Sequence, residues 1–569
     1  MVIDDGVETQ RWMQIEVVLK GIRHRFTIPA SKFGGMNWPT EHLGPEAIVY
    51  PGYATRDHAR TAIQLLSGGV AKRRIYVHTG WRENLGEWMY LHGGGAIGPK
   101  GQMNGIEVQL PEALRRFWLP APPEGTALVA AIKSTLKLLD LGPDHVMVSL
   151  LGAVWRVPLG ETDFSLHLSG PTGVYKTEVA ALKQQFWGDG LDARHLPASW
   201  AGTGNALEAL AFVAKDALLV VDDFAPTGTV NDARRQHREA DRLLRAQGNR
   251  AGRLRMHSDA TLNPAKMPRG LILSTGEDVP NGQSLRARVW VLEIEEGAIR
   301  LDLLTLAQAD AAEGCFSSAM SAYIRWLSPR FEMVRRNLRS YVFQIRAGVN
   351  LSGSHPRAPE IFANLAVGWA HFMEFAQHAG ALSSVEADTL RRRVAAALHH
   401  AAAAQSHHLA AAEPTTRFLD LVSAALVSGR AHLDAVDGGR PESPETLGWR
   451  EEAGRLNGPP LAELRPMGEL VGWTAGEDIY LEPDSSFAVA QRLAREQGEE
   501  LTVGRKTLHK RLAERGLLAS RDEKRGNLVR KSLAGRRRNV LHLWKPVLIG
   551  EKTDQSAQSA QRALPLALG

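Results

Sequence analysis

In SLHLSGPTGVYKTEVAAL, residues 165–182, a strand runs into a glycine-rich turn, a Lys-Thr pair and the start of a helix. That order of elements suits a loop whose backbone N–H groups wrap a polyphosphate at a helix N-terminus. Gly170, Pro171, Thr172, Gly173, Val174, Tyr175, Lys176 and Thr177 are therefore the expected nucleotide contacts. Lys176 would reach the β and γ oxygens and Thr177 would hold Mg²⁺. Tyr175 stands where the GxxxxGK[ST] pattern has its second glycine, a steric cost if the site needs a positive φ. The plainer reading of the segment is a strand-to-helix turn with a surface lysine.

About forty residues on, DALLVVDDFAP reads as a buried strand that delivers Asp222 and Asp223 to the same sheet edge as the loop. Asp222 would bind Mg²⁺ through water, and Asp223 would take the place of the glutamate that polarises an attacking water. A third strand, RGLILSTGED, ends in Ser274-Thr275, where a γ-phosphate or its water could be sensed. Arg286 and Arg288 follow in SLRARVWVL, and either could complete the site of a neighbouring subunit, which implies a ring. Otherwise they are solvated residues before an edge strand.

These residues need a scaffold. Between about 145 and 300, apolar strands alternate with helical stretches, as in a parallel sheet covered by helices. The fold class expected is α/β: a P-loop, AAA+-like ATPase core over 126–304. An α+β N-terminal domain would occupy 1–118, a helical lid 305–435 and a linker 436–462. A winged-helix module would follow over 463–550, then a disordered tail over 551–569.

Bulk properties narrow the class. A chain of 569 residues exceeds one hydrophobic core. No apolar run reaches the roughly 18 residues that span a bilayer, and the first residues lack a basic-then-apolar signal layout, so a cytoplasmic protein is expected. Cys315 is the only cysteine, which excludes an internal disulfide and zinc sites built on cysteine pairs. The net charge of +6 is modest, and its clustering carries more information than its total.

The chain resembles the domain-of-unknown-function family nine-two-seven, helicases of bacterial mobile elements and phages related to MCM-like AAA+ ATPases. The resemblance covers roughly residues 75–300. It is carried by TGWRENLGEWMYLHGGGAIG, SGPTGVYKTEVAAL, TGNALEALAFVAKDALLVVDDF, LRAQGNRAGRLRM and the LILSTGE strand. It implies an ATP-driven motor, hexameric by preference, translocating on single-stranded DNA in replication of a mobile element or prophage. SGSHPRAPEIFANLAVGW also looks like the second sensor helix of such motors, which makes Arg357 a candidate contact to an adjacent subunit's nucleotide. Tyr175 and the Asp222-Asp223 pair depart from the family's glycine and Asp-Glu pattern, which bears on hydrolysis rate more than on binding.

Two basic segments are the DNA candidates. ARRQHREADRLLRAQGNRAGRLRM carries eight arginines. Arg250, Arg253 and Arg255, near the Gly248 and Gly252 turns, could track phosphates in a central channel, while the preceding helix reads as salt-bridged. Residues 502–543 hold thirteen basic and three acidic residues in a helix, a turn and two strands. There Arg505, Lys506, His509, Lys510 and Arg511 could face a groove, and Arg536, Arg537 and Arg538 the backbone. His399, His400, His407 and His408 invite a metal, but no acidic or cysteine partner accompanies them. The sequence thus points to an ATP- and Mg²⁺-dependent DNA helicase forming a homo-oligomeric ring, with no membrane role. An initiator or loader without processive unwinding, and a non-hydrolysing DNA-binding regulator, are the alternatives.

Overall fold

The computed structural model describes residues 1–226, 229–256, 262–280, 283–349, 351, 357–411, 413–453, 462–497, 501 and 503–550. The chain forms two compact units. The first comprises Met1–Pro226, Gln236–Pro280 and Ser284–Ser406; the second comprises Thr227–Arg235, Asn281–Gln283 and His407–Gly569.

At the centre of the first unit lie β1 (Ser165–Ser169), β2 (Ala198–Ser199), β3 (Leu218–Phe224), β4 (Leu271–Gly276) and β5 (Val289–Glu293). They pair in parallel in the order β2-β3-β4-β1-β5. β1 and β4 are buried along their whole length, and β3 is buried until Asp222. Strands covered on both faces need continuous apolar runs rather than alternation, which is how these segments read. Connections run through α1 (Lys176–Gln184), α2 (Gly204–Val213) and α3 (Val230–Asn249).

The expected N-terminal domain is not a separate body up to residue 118. An antiparallel meander over residues 80–103 packs Trp81 and Tyr90 into the same core as the sheet. Trp81 Nε1 donates to Pro158 O at 2.6 Å, Tyr90 Oη donates to Asp216 O at 2.8 Å, and the Trp81 N–H donates to Asp216 Oδ2 at 3.0 Å. Burying such a ring is worth about 4 kcal/mol for roughly 150 Å² removed from water, so this segment belongs with the core. Nearer the N-terminus, a small separate cluster forms around Ile28, Phe33, Met36 and Trp38.

The helical stretch after β5 also divides elsewhere than at 435. Helix Ala358–His378 lies along Asp144–Arg156, where a Cβ on Gly368 would meet Gly152 O at 2.3 Å; only glycine permits that approach. The units part at Ser406/His407, within helix Ser384–Ala411. Helix α4 (Pro414–Val427) puts Phe418, Leu421 and Val422 into the core of the second unit.

That unit adds β6 (Ala431–Ala435), β7 (Glu469–Ala475), β8 (Asp478–Leu481), α5 (Pro483–Glu496), α6 (Arg505–Glu514), β9 (Val529–Leu533) and β10 (Arg536–Trp544). The sheet order is β6-β7-β8-β10-β9. The expected linker 436–462 is structured in its described part. A short helical turn, Pro444–Leu447, and strand Trp449–Ala453 lie there, with Leu447 fully buried. In that part Gly438, Gly439 and Gly448, all at positive φ, shape bends and turns between the elements. Residues 551–569 lie outside the described residues. Among the described residues, no helix is long and apolar enough to cross a membrane.

Candidate active site

The loop between β1 and α1 takes the conformation its sequence left in question. Gly170 has φ +151°, and a Cβ there would meet Ile294 O at 2.3 Å; Gly173 has φ +87°. Tyr175 adopts φ +64°, ψ 25° at the N-terminus of α1, so the non-glycine residue carries the left-handed conformation and its strain. The residue remains 43% exposed, outside the core.

Lys176 folds back over the loop and donates to Gly170 O at 2.8 Å and Pro171 O at 2.6 Å. Burial pushes its amine below the usual lysine range, while Glu277, Asp223 and Asp222, in that order of influence, favour the charged form. Thr177 Oγ1 donates to Asp222 Oδ1 at 3.0 Å, and Thr275 Oγ1 donates to the same oxygen at 2.5 Å. Loop, β3 and β4 thus converge on one carboxylate, as the parallel order of their strands requires.

Asp223 owes its position to a bulge. Val221 pairs with Ser274 and Phe224 with Gly276, so Asp222 and Asp223 together oppose Thr275. The extra residue puts Asp223 at φ +64°, and its N–H donates to Thr275 Oγ1 at 3.0 Å. Asp223 lines a cavity of about 400 Å³ with Thr172, Gly173, Tyr175, Lys176, Thr177, Glu178, Thr275, Gly276 and Glu277.

Ser274 is a correction. It points into the core, accepting from Trp200 Nε1 at 2.9 Å and bonded to His167 Nδ1 at 3.0 Å, so only Thr275 of the polar pair reaches the site. The pleat explains this, since neighbours on a strand face opposite ways. Glu277, which sequence reasoning passed over, lines the cavity and accepts a hydrogen bond from Thr172 of the loop. Its signal was present in the strand-ending STGED, two residues beyond Thr275.

Arg288 lies at the other edge of the sheet. It precedes β5, and its carbonyl accepts from the N–H of Ser165, the first residue of β1, whereas the loop follows the last. Arg288 Nε donates to Asn249 Oδ1 at 2.9 Å, and Arg357 Nη1 donates to Gly248 O at 3.1 Å. Burial, with the positive charges of Arg357 and Arg245, lowers the Arg288 pKa. Both arginines thus gather at the C-terminal end of α3, across the sheet from their own chain's loop. Arg286 Nε donates to Pro280 O at 3.3 Å.

In the arginine-rich insert, Gly248 falls inside helix α3 rather than in a turn, and Arg250 pairs with Glu161 across to the segment before β1. Arg242 pairs with Glu208 at 2.7 Å and Arg245 with Asp241 at 2.6 Å. Arg253 and Arg255 lie on strand Arg253–Met256, antiparallel to Leu262–Lys266; their side chains, and residues 257–261, lie outside the described residues.

In the second unit, Lys506 and Lys510 on α6 are exposed, Lys510 lying 3.6 Å from Glu514, and Arg505 pairs with Asp484. Arg511 is partly buried. His509 does not face a groove: it is buried beside Leu508, and burial lowers its pKa to about 4. The three arginines of β10 split by strand alternation. Arg538 pairs with Lys531 and lies 4.8 Å from the Trp473 ring, while Arg537 pairs with Ser532 on the other face and is exposed, as is Arg536. His400 packs on His145, His399 on Phe362, and the side chains of His407 and His408 lie outside the described residues. No group of three or more potential metal ligands occurs among the described residues.

No protein-family profile and no curated protein sequence matches the chain. Among solved structures, "SCCmec type IV Cch - active helicase" matches with a TM-score of 0.53 at 11% identity, covering 95% of this chain and 94% of that one. A JCV helicase bound to an acetamide ligand matches with a TM-score of 0.24 at 16% identity over 39% of this chain and 64% of that one. The apo C-terminal region of NrS-1 gives a TM-score of 0.26 at 10% identity over 69% of this chain and 85% of that one. The chain is a mixed α/β protein built on a parallel sheet, and over nearly its whole length it shares the fold of a solved helicase.

Proposed function

We propose that this protein is an ATP-dependent DNA helicase or translocase of the ring-forming AAA+ type, working in replication of a mobile element or prophage. The observation that carries the reading is the convergence of Lys176, Thr177, Asp223 and Thr275 around a cavity of about 400 Å³ at one edge of a parallel sheet, with Asp222 bonded to Thr177 and Thr275 beside it. Crevices at the carboxyl ends of such strands are where this architecture binds ligands.

The residues fit the groups the reaction needs. Glycines at 170 and 173 leave backbone N–H groups free to approach phosphates, and Lys176 supplies a positive charge now resting on loop carbonyls. Thr177 and Asp222 offer two oxygens 3.0 Å apart for Mg²⁺, which when bound would neutralise charge on the β- and γ-phosphates. Thr275 fixes the Asp222 carboxylate, and the bulge directs Asp223 into the cavity. The Arg288 and Arg357 guanidiniums, remote from their own loop, suit a role at a neighbouring subunit's phosphates. That favours a homo-oligomeric ring, a hexamer by preference.

The second unit reads as a winged helix, α6 being the helix offered to DNA and β9-β10 the wing, with Lys506, Lys510, Arg536 and Arg537 as phosphate contacts. Helices between 301 and 406 act as the lid, and the paired strands Arg253–Met256 and Leu262–Lys266 as the element tracking single-stranded DNA. The test is ATP hydrolysis with and without single-stranded DNA, for the intact chain and Lys176→Ala. DNA-stimulated turnover that the substitution abolishes is expected. Turnover without unwinding of a tailed duplex favours the loader, and absent turnover the non-hydrolysing regulator.

A further inference from the structure

Four carboxylates lie at the loop; Glu178 accepts from Gln308 Nε2 at 2.8 Å, and of the other three the sequence pattern assigns work to only two. Asp222 is held by two hydroxyls, Thr177 and Thr275, as a cation-binding oxygen pair would be. Asp223 lines the cavity but is held only through its backbone, and its carboxylate makes no hydrogen bond among the described residues.

Glu277 differs on both counts. Its backbone is fixed, with the N–H donating to Phe224 O at 3.2 Å. The preceding Gly276 sits where a Cβ would meet that same carbonyl at 2.5 Å, so β3 and β4 close tightly just before it. Its carboxylate lines the cavity and accepts from Thr172 Oγ1, in the leading half of the loop. It is one methylene longer than Asp223, and it lines the same cavity as Lys176, the residue that would reach toward a terminal phosphate. A base hydrogen-bonded to a third group that orients it is the arrangement general-base catalysis needs.

We propose that Glu277, oriented by Thr172, is the carboxylate that activates water in this site, with Asp223 an auxiliary that holds the water's other proton. The inference rests on the nucleotide reading above. In the step, the water oxygen bonds to the γ-phosphorus as the bond from that phosphorus to the β–γ bridging oxygen breaks. The bridging oxygen leaves with ADP and its electron pair, and the water's proton passes to Glu277 and then to solvent. No oxidant or further reactant enters.

The experiment compares the intact chain with Glu277→Gln, Asp223→Asn, Thr172→Val and Lys176→Ala. Readouts are kcat, KM, the pH profile of turnover and binding of a fluorescent ATP analogue with Mg²⁺. Glu277→Gln should lower kcat about 10²- to 10⁴-fold with nucleotide affinity kept within a few-fold, and should remove the acidic limb of the pH profile. Asp223→Asn should cost less than about tenfold, and Thr172→Val should fall between the two. If Asp223→Asn abolishes turnover while Glu277→Gln keeps kcat within twofold and the acidic limb intact, the assignment is overturned. Lys176→Ala separates the two levels: unchanged turnover and analogue binding in that variant sinks the nucleotide reading itself, whatever Glu277 does. Analogue binding to Glu277→Gln shows that the variant has folded.

Discussion

The two charged regions of this protein handle charge in opposite ways. At the sheet edge of the first unit, Lys176, Asp223 and Glu277 line one cavity with Asp222 behind Thr177 and Thr275, each held by a hydroxyl, a carbonyl or a bulged backbone. In the second unit the positive charges of α6 and β10 are mostly exposed, Arg505 pairs with Asp484, and the half-buried Arg538 lies over the Trp473 ring. Convergent charge around one cavity suits chemistry, where a displaced atom is costly; dispersed surface charge suits a polyanion, where contacts add with little regard to order.

The sharpest break between the regions is Lys176→Ala. It should lower ATP turnover by at least about 10²-fold while leaving duplex DNA affinity, read by fluorescence anisotropy, unchanged. Equal loss of both would mean that the two regions are not independent. Conversely, Lys506→Ala with Lys510→Ala should leave unstimulated turnover intact and flatten the salt dependence of duplex binding by about two units of slope, near 0.9 per lost phosphate contact. An unchanged slope would remove α6 from the interface.

His509 sharpens the contrast through pH. It is buried with a folded-state pKa of about 4, depressed from the ordinary 6.5, so the unfolded chain takes up a proton that the folded unit refuses. Its contribution to stability is complete above about pH 6.5 and lost as pH falls toward 4, on the order of 1–3 kcal/mol in all. The transition of the second unit in thermal scans should fall over that window, and His509→Leu should flatten it. Smallest is Tyr175→Gly, which relieves the left-handed strain and should stabilise the first unit by about 0.5–1 kcal/mol in denaturant titrations. A loss of stability would mean that the Tyr175 ring makes contacts worth more than the strain.

The layout of the candidate site was largely legible, because it lies in short segments with fixed local order. The strand, turn, Lys-Thr and helix of residues 165–182 carry their geometry with them, as does the apolar run ending in Asp222-Asp223. Facing was less legible. Nothing local says that Ser274 turns to Trp200 while Thr275 turns to Asp222, or that Arg538 covers Trp473, since both follow from register with distant strands. The stretch 436–462 misled for a related reason: Gly, Pro and acidic residues mark turns equally in a linker and in a packed β structure. Burial of Leu447 and Trp449 and the pairing of strand Trp449–Ala453 distinguish them.

By itself the sequence determined the alternation of strands and helices, the loop that could take phosphates, the acidic strand beside it and the basic C-terminal segment. Periodicity and turn chemistry act over a few residues and need no partner. The tertiary structure alone decided that the meander with Trp81 and Tyr90 shares the core of the sheet and that the units part at Ser406/His407. It likewise placed Arg288 across the sheet from Lys176 and brought Glu277 into the cavity. Those outcomes depend on which distant surfaces bury one another, a free energy that no short stretch of chain contains.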